Sequence, residues 1–339
     1  MVLVTIKDIA KKAHVSISTV SLVLNNKGYV SPETSERIQN IIHKLNYKPL
    51  HSARKLATRK TGNIGYIIWE NHFSEVEMFY SQIFLGMEYA ARESDYYILL
   101  TTVKDDFDPK TDLPRFLKYN DVDGVVLAGR VPHSLVEYLD KQRMPFVLVD
   151  YGIPGKIYNS VLIDNYNGAF NAVESLIQSG RKRIAFVGGT FSHPSIKERF
   201  RGYKEVLESY NLISDGHLKK YTHLEDAETS REIGEKGVSI LLTEKLLPDA
   251  IFCCNDTTAL GALTEIQRKK LKVPQDIAVV GFDDIPTAAF NLPKLSTVRV
   301  PKLLLGKEAF KLLNDVIDNP RLPAQTRLIS TEFIKRESS

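Results

Sequence analysis

Cysteine is nearly missing from this chain: Cys253 and Cys254 are the only two in 339 residues, and they are neighbours inside an apolar run. On a strand, adjacent side chains point to opposite faces, so the pair is expected to be buried, reduced and unbridged. Long apolar runs are also missing. Nothing approaches the roughly 18 uninterrupted apolar residues of a membrane helix, and the N-terminus lacks an apolar stretch followed by small residues, so no membrane partner and a cytoplasmic location are expected. The motifs of common catalytic centres are absent too. There is no phosphate loop, no His-Glu-x-x-His and no Gly-x-Ser-x-Gly elbow, and the eight histidines form no ligand cluster. An enzyme is therefore not expected, and neither is a metal or a cofactor.

What is present is a charge imbalance along the chain. Eleven of the 45 Lys and Arg fall in the first 60 positions against three of the 41 acidic residues, which makes that segment +8 and leaves −4 for the rest. A basic head on a mildly acidic body points to a polyanion as partner of the head alone.

The head reads as three short helices. Thr5 with Asp8 forms a capping pair, after which Ile6, Ile9, Ala10 and Ala13 recur on one helical face. Ser16 caps a second helix over 17–24, and the turn residues Asn25, Asn26, Lys27 and Gly28 end it. Ser31 as cap and Pro32 at the first position open a third, with Ile38, Ile41, Ile42 and Leu45 inward. This is the helix-turn-helix plan. Turning each residue about 100° from the last puts Val20, Val23 and Leu24 on the inner face of the second helix. Ser18 and Leu22 then point outward, where a leucine is useful against thymine methyls and a serine can bond either kind of base. Thr5, Thr19, Ser21, Asn25 and Tyr47 are candidates for phosphate contacts.

These residues carry a resemblance. Thr5-Ile6-Lys7-Asp8-Ile9-Ala10, Ala13, Val15-Ser16, Thr19-Val20-Ser21, Val23-Leu24-Asn25 and Asn46-Tyr47-Lys48-Pro49 are similar to the head signature of the lactose-repressor (LacI/GalR) family. The resemblance implies that Ile17, Ser18 and Leu22 choose the operator sequence; the family usually has a polar or basic residue at the last of these positions. Residues 52–57 resemble the family's hinge helix, which implies that Ala53 and Leu56 reach the minor groove and that Leu56 kinks the operator centre beside its dimer mate. So short a basic segment would fold only on DNA.

Beyond Gly62, short apolar runs alternate with helical stretches. Runs at 64–69, 97–101, 124–127 and 146–150 form one set, and runs at 160–163, 183–187, 250–254 and 277–281 form a second. The fold class expected is α/β: a small all-α head over residues 1–48, a hinge and linker over 49–61, and a periplasmic-binding-protein-like body over 62–339. Its two parallel-sheet lobes are expected at 62–162 with 292–323 and at 163–291 with 324–339.

Ligands of such sheets bind beyond the carboxyl ends of the strands, so a cleft between the lobes is the expected effector site. Asn71, Phe79, Asp164, Ser195, Arg199, Asn255 and Asp283 are its candidate residues. The segments 199–203, 254–262 and 281–284 resemble the family's ligand arginine, inducer-site strand and helix, and strand-end carboxylate. The stretch 221–237, where relatives often carry an aromatic that stacks on ligand, has none after Tyr221. A sugar or sugar derivative is the expected effector; a purine-like corepressor or a protein coeffector is the alternative. A pseudo-palindromic operator bound by a homodimer completes the expectation.

Overall fold

The computed structural model describes residues 4–24, 28–47, 60–72, 79–213 and 216–339. Asn25, Ala53 and Leu56 lie outside the described residues, as does the hinge helix expected over 52–57. The chain divides into two units, 1–62 and 63–339.

In the head, α1 (Ile6–Ala13), α2 (Ile17–Leu24) and α3 (Pro32–Lys44) begin where their caps are. The Asp8 carboxylate accepts from the Thr5 amide at 2.9 Å and from its hydroxyl at 2.7 Å, which holds it below its ordinary pKa. The Ser16 hydroxyl accepts from the Thr19 amide at 3.0 Å, and Ser31 does the same for Thr34 at 3.4 Å. Ile9, Ala10, Ala13, Val20, Val23 and Ile38 close into one small core. Tyr47 joins them and is only 8% exposed. Its ring packs with the head's core, and its expected phosphate contact would fall to the phenol hydroxyl at the ring's polar end.

The body carries two parallel sheets. The first contains β1 (Asn63–Trp69), β2 (Tyr97–Val103), β3 (Gly124–Ala128), β4 (Phe146–Val149), β5 (Ser160–Ile163) and β11 (Thr326–Ile329), in the order β11-β5-β4-β3-β1-β2. The second contains β6 (Ile184–Gly188), β7 (Thr222–Leu224), β8 (Ala250–Cys253) and β9 (Ala278–Val280), in the order β7-β6-β8-β9. A separate antiparallel pair joins β10 (Thr297–Arg299) to β12 (Glu332–Ile334). The central strands are buried throughout, as the interior strands of a parallel sheet covered on both faces must be.

The helices that matter to the site are α4 (Phe79–Glu93), α7 (Asn165–Gln178), α8 (Pro194–Ser209), α10 (Arg231–Leu241), α11 (Asp256–Arg268) and α13 (Lys302–Asp318). Three shorter helices, α5 (Arg115–Lys118), α9 (His217–Tyr221) and α12 (Pro286–Phe290), and one of middle length, α6 (His133–Lys141), complete the count among the described residues. In the first lobe α4 and α13 cross backbone to backbone: a Cβ on Gly306 would stand 1.9 Å from the Ile83 carbonyl oxygen, and one on Gly86 2.0 Å from that of Leu303. Only glycine permits that approach.

The chain passes between the lobes at Asp164, between Arg299 and Lys302, and between Ile329 and Glu332. Two of these crossings lie later than the expected breaks at 292 and 323. Pairing decides the matter: Thr326 to Ile329 register against Ser160 to Ile163 in the first sheet, and Thr297 to Arg299 register against Glu332 to Ile334. For the same reason β5 belongs to the first sheet, between β4 and β11, and does not open the second.

Candidate functional site

The carboxyl ends of both sheets face a common cavity of about 270 Å³. From the first lobe come Trp69 at the end of β1, Asn71 and His72 in the following turn, Phe79 and Tyr80 at the start of α4, and Asp150 just past β4. The second lobe contributes Ser195 and Arg199 from the first turns of α8, Glu228 and Thr229 between β7 and α10, Asn255 after β8, and Asp283 after β9. Strand ends supply these side chains because the backbone there stops pairing and side chains are freed to face the ligand.

Arg199 is the organising residue. It is 5% exposed and donates from Nε to Asn165 Oδ1 at 2.7 Å, from Nη1 to the Cys254 carbonyl at 2.6 Å, and from Nη2 to Asp283 Oδ1 at 3.2 Å. Its guanidinium lies 3.8 Å from the ring centroid of Phe282, a cation on an aromatic face. The start of α7 and the ends of β8 and β9 are thereby tied to one cation on α8.

Asp283 sits at φ 111, a conformation that bulky residues avoid. Burial pushes its carboxyl up to about 6 in spite of Arg199 and Lys302 nearby. Lys302 donates to the carbonyls of Asp283 and Asp284, anchoring this loop to the chain crossing that starts α13. Asp150, also in a left-handed conformation at φ 56, accepts from Ser195 Oγ at 2.9 Å and from Tyr80 Oη at 3.1 Å. Burial raises its pKa, with Arg199 opposing. The Ser195 bond crosses from one lobe to the other. So does the ion pair of Arg130 with Glu228 at 3.5 Å, which is more than a third exposed on each side.

The wall between these polar groups is aromatic. His72 stacks on Tyr80 with centroids 4.7 Å apart and meets Trp69 edge-on at 4.9 Å. Burial depresses the His72 imidazole to about 3 and that of His193 to about 4, so both are neutral near pH 7.

Of the seven residues expected here, Asn71, Phe79, Ser195, Arg199, Asn255 and Asp283 line the cavity, and Asp164 does not. Asp164 caps α7 instead, accepting from the Asn167 amide at 3.2 Å and from its side chain at 2.8 Å. Its neighbour Asn165 is the one turned inward, toward Arg199. Asn255 does both jobs: its carbonyl accepts from the Thr258 amide at 2.9 Å as the cap of α11, and its amide donates to Thr229 at 2.8 Å. Asp150, Tyr80, His72 and Glu228 line the cavity as well and were not among the seven candidates. Asp150 ends an apolar strand as Asn255 and Asp283 do, so the strand-end rule applied evenly would have found it.

In the head, Ile17, Ser18 and Leu22 are exposed on α2, and Thr19 and Ser21 are half-buried beside them. Thr5 is exposed and engaged with Asp8.

A two-lobed parallel α/β body closing on a polar cavity, preceded by a separate three-helix module, defines a ligand-binding regulator. Residues 5–49 match the model of bacterial regulatory proteins of the lacI family, and residues 173–339 match a periplasmic binding protein-like domain. The chain is 31% identical over 334 residues to the ribose operon repressor of Haemophilus influenzae, and 30% identical over 342 residues to the HTH-type transcriptional repressor PurR of Vibrio atlanticus, with 98% of each chain covered in both cases. Among solved structures, the lac repressor dimer bound to operator and the anti-inducer ONPF is 26% identical with a TM-score of 0.81, over 99% of this chain and 98% of that one. The chain belongs to the lacI family of bacterial regulatory proteins, and it is a DNA-binding transcriptional regulator with a ligand-binding body, not an enzyme. No described helix is long and apolar enough to cross a membrane.

Proposed function

We propose that the protein is a cytoplasmic repressor that binds a pseudo-palindromic operator as a homodimer and is controlled by an uncharged sugar held between its lobes. The observation that carries the sugar reading is the acceptor-rich cavity. Among the described residues, Asp150, Asp283 and Glu228 line a space in which Arg199 is the lining cation; three of its donors are spent on Asn165, Cys254 and Asp283, and Arg130 pairs with Glu228. A carboxylate offers about four acceptor positions, so this set calls for a ligand with several O–H donors and no negative charge. Trp69, Phe79 and the His72–Tyr80 stack give such a ligand apolar faces to lie against.

The same aromatic wall suits a purine, and the likeness to PurR keeps a purine corepressor as the second reading. A purine base has few N–H donors for three carboxylates, which favours the sugar. Dimerisation is supported by the exposed Leu85 and Tyr89 on α4 beside the exposed Tyr97 and Leu100 on the edge strand β2. Ligand closing the cleft would tighten the cross-lobe bonds of Ser195 to Asp150 and Arg130 to Glu228, and operator affinity would change by the ligand's differential affinity for the two states. The roles of Ala53, Leu56 and Asn25 at the operator rest on the resemblance of the head.

Selection of bound duplex from a random pool, followed by titration of the winning site against neutral sugars, sugar phosphates, hexuronates and purines, tests the whole reading. A palindrome whose affinity responds to a neutral sugar is expected. A response confined to purines or to anionic sugars would overturn the effector assignment and leave the operator assignment standing.

A further inference from the structure

We propose that Tyr29 stands with Ile17 and Leu22 in an apolar operator-reading face, and that this face recognises the operator through thymine methyl groups. The inference rests on the operator reading above and concerns what the head reads.

Among the described residues of the head, the large apolar side chains left exposed are Ile17 at 44%, Leu22 at 38% and Tyr29 at 91%. They are not scattered. Val20 and Val23 turn the inner side of α2 into the head's core, and Ile17 and Leu22 flank the exposed Ser18 on the opposite side. Leu22 lies against Gly28: a Cβ there would stand 3.2 Å from Leu22 Cδ2. Gly28 therefore lies beside the same face, and Tyr29 is the next residue in the chain. Gly28 at φ +73 gives the turn its left-handed step without a side chain to push Leu22 aside.

A basic module of this size gains nothing in water from three exposed apolar side chains, and charge complementarity commits its partner to a polyanion. On the base edges of a DNA major groove the apolar feature is the thymine C5 methyl; the other edge groups are hydrogen-bond donors and acceptors. Leucine, isoleucine and the tyrosine ring can bury that methyl and make no base hydrogen bond from the apolar surface. Ser18 is left as the hydrogen-bonding reader between them. The half-site is thus read by where its thymines stand, with lysines and arginines holding the phosphates at no cost in discrimination.

The test uses the full chain and the palindrome it selects. Each symmetric pair of thymines is replaced by 2′-deoxyuridine, which removes the methyl and keeps the base pair. One methyl-sized group is worth about four-fold in affinity, so a contacted pair is expected to cost about 15-fold at fixed salt. At least one thymine pair is expected to lose this sensitivity in Leu22→Ala and another in Tyr29→Ala, while Tyr29→Phe keeps it because the ring, not the hydroxyl, makes the contact. All three side chains replaced are exposed, and unchanged thermal unfolding checks that the variants fold. An enriched palindrome indifferent to uracil at every position overturns the inference. So does uracil sensitivity that stays the same in the Ile17→Ala, Leu22→Ala and Tyr29→Ala proteins, since the methyls would then be read elsewhere. Failure to enrich any site overturns the operator reading itself.

Discussion

Replacing Arg199 with methionine keeps the length of the side chain and removes the cation. Three bonds go with it: those to Asn165, to the Cys254 carbonyl and to Asp283. Breaking a buried ion pair by deleting one partner ordinarily costs about 3–5 kcal/mol. Asp283 has a partial escape, because burial has already raised its carboxyl to about 6 with Arg199 present, so taking up a proton at pH 7 costs at most about 1.4 kcal/mol once Arg199 is gone. Adding about 1 kcal/mol for each of the two neutral acceptors left without Arg199 gives a loss of about 2–3 kcal/mol at pH 7. A carboxyl whose folded pKa is raised contributes stability that is present below its unfolded value and lost as pH rises through the folded one. Removing Arg199 raises the folded value further, so the variant should be penalised less at pH 5.5 than at pH 7.5. Urea denaturation of Arg199→Met, Asp283→Asn and the double variant at both pH values measures this. The double variant should be less destabilised than the sum of the singles by more than about 1 kcal/mol. Additivity within about 0.5 kcal/mol would show that the pair does not act as a unit, and Arg199 would then not be what organises the cavity.

Asp256 is fully buried, accepting from Thr297 Oγ1 at 2.5 Å and from the Ile285 amide at 2.9 Å, and burial followed by the repulsion of Asp283 pushes it up to about 8. The folded chain therefore keeps a proton that the unfolded chain releases near 4, and stability should fall with rising pH between about 4 and 8, by at most about 1.4 kcal/mol per pH unit from this group. Asp256→Asn should flatten that slope in a urea series; an unchanged slope assigns it to another group. Gly306→Ala drives a methyl into the Ile83 carbonyl and should destabilise by about 1–3 kcal/mol through separation of α4 and α13, whereas Gly152→Ala, with nothing within 4 Å, should change thermal stability by less than about 0.5 kcal/mol. Equal effects at the two glycines would contradict the close crossing. Ser195→Ala takes a donor from the buried Asp150 and should cost about 1–3 kcal/mol. Glu228→Gln removes an exposed pair across the same cleft and should cost no more than about 1 kcal/mol, less at high salt; the reverse ranking in chemical denaturation would misplace the lobe contact.

Local rules carried the reading of this chain wherever the deciding interaction was short in sequence. Thr5 with Asp8, Ser16 with Thr19 and Ser31 with Thr34 are contacts over three residues, so the head's helices could be placed from their caps. The apolar runs of β1, β3, β4, β6 and β8 were legible because strands covered on both faces must be continuously apolar. Arg199, Asn255, Ser195 and Asp283 could be picked out as strand-end or helix-start polar residues. Which way such residues turn was a tertiary decision: Asp164 spends its carboxylate on a cap while Asn165 meets Arg199, and both patterns look alike along the chain. That the Tyr47 ring packs into the head's core was not legible either, because an aromatic residue near a helix end suits a surface or a core equally. The lobe crossings after Arg299 and Ile329 depend on pairing between strands far apart in sequence, with Thr326 opposite Ser160 and Thr297 opposite Ile334, for which the short, half-exposed β11 gives only a weak apolar signal. Capping and burial pattern are written in neighbouring residues, whereas register and the meeting of Asp150 with Ser195 exist only once two distant pieces of backbone share a surface.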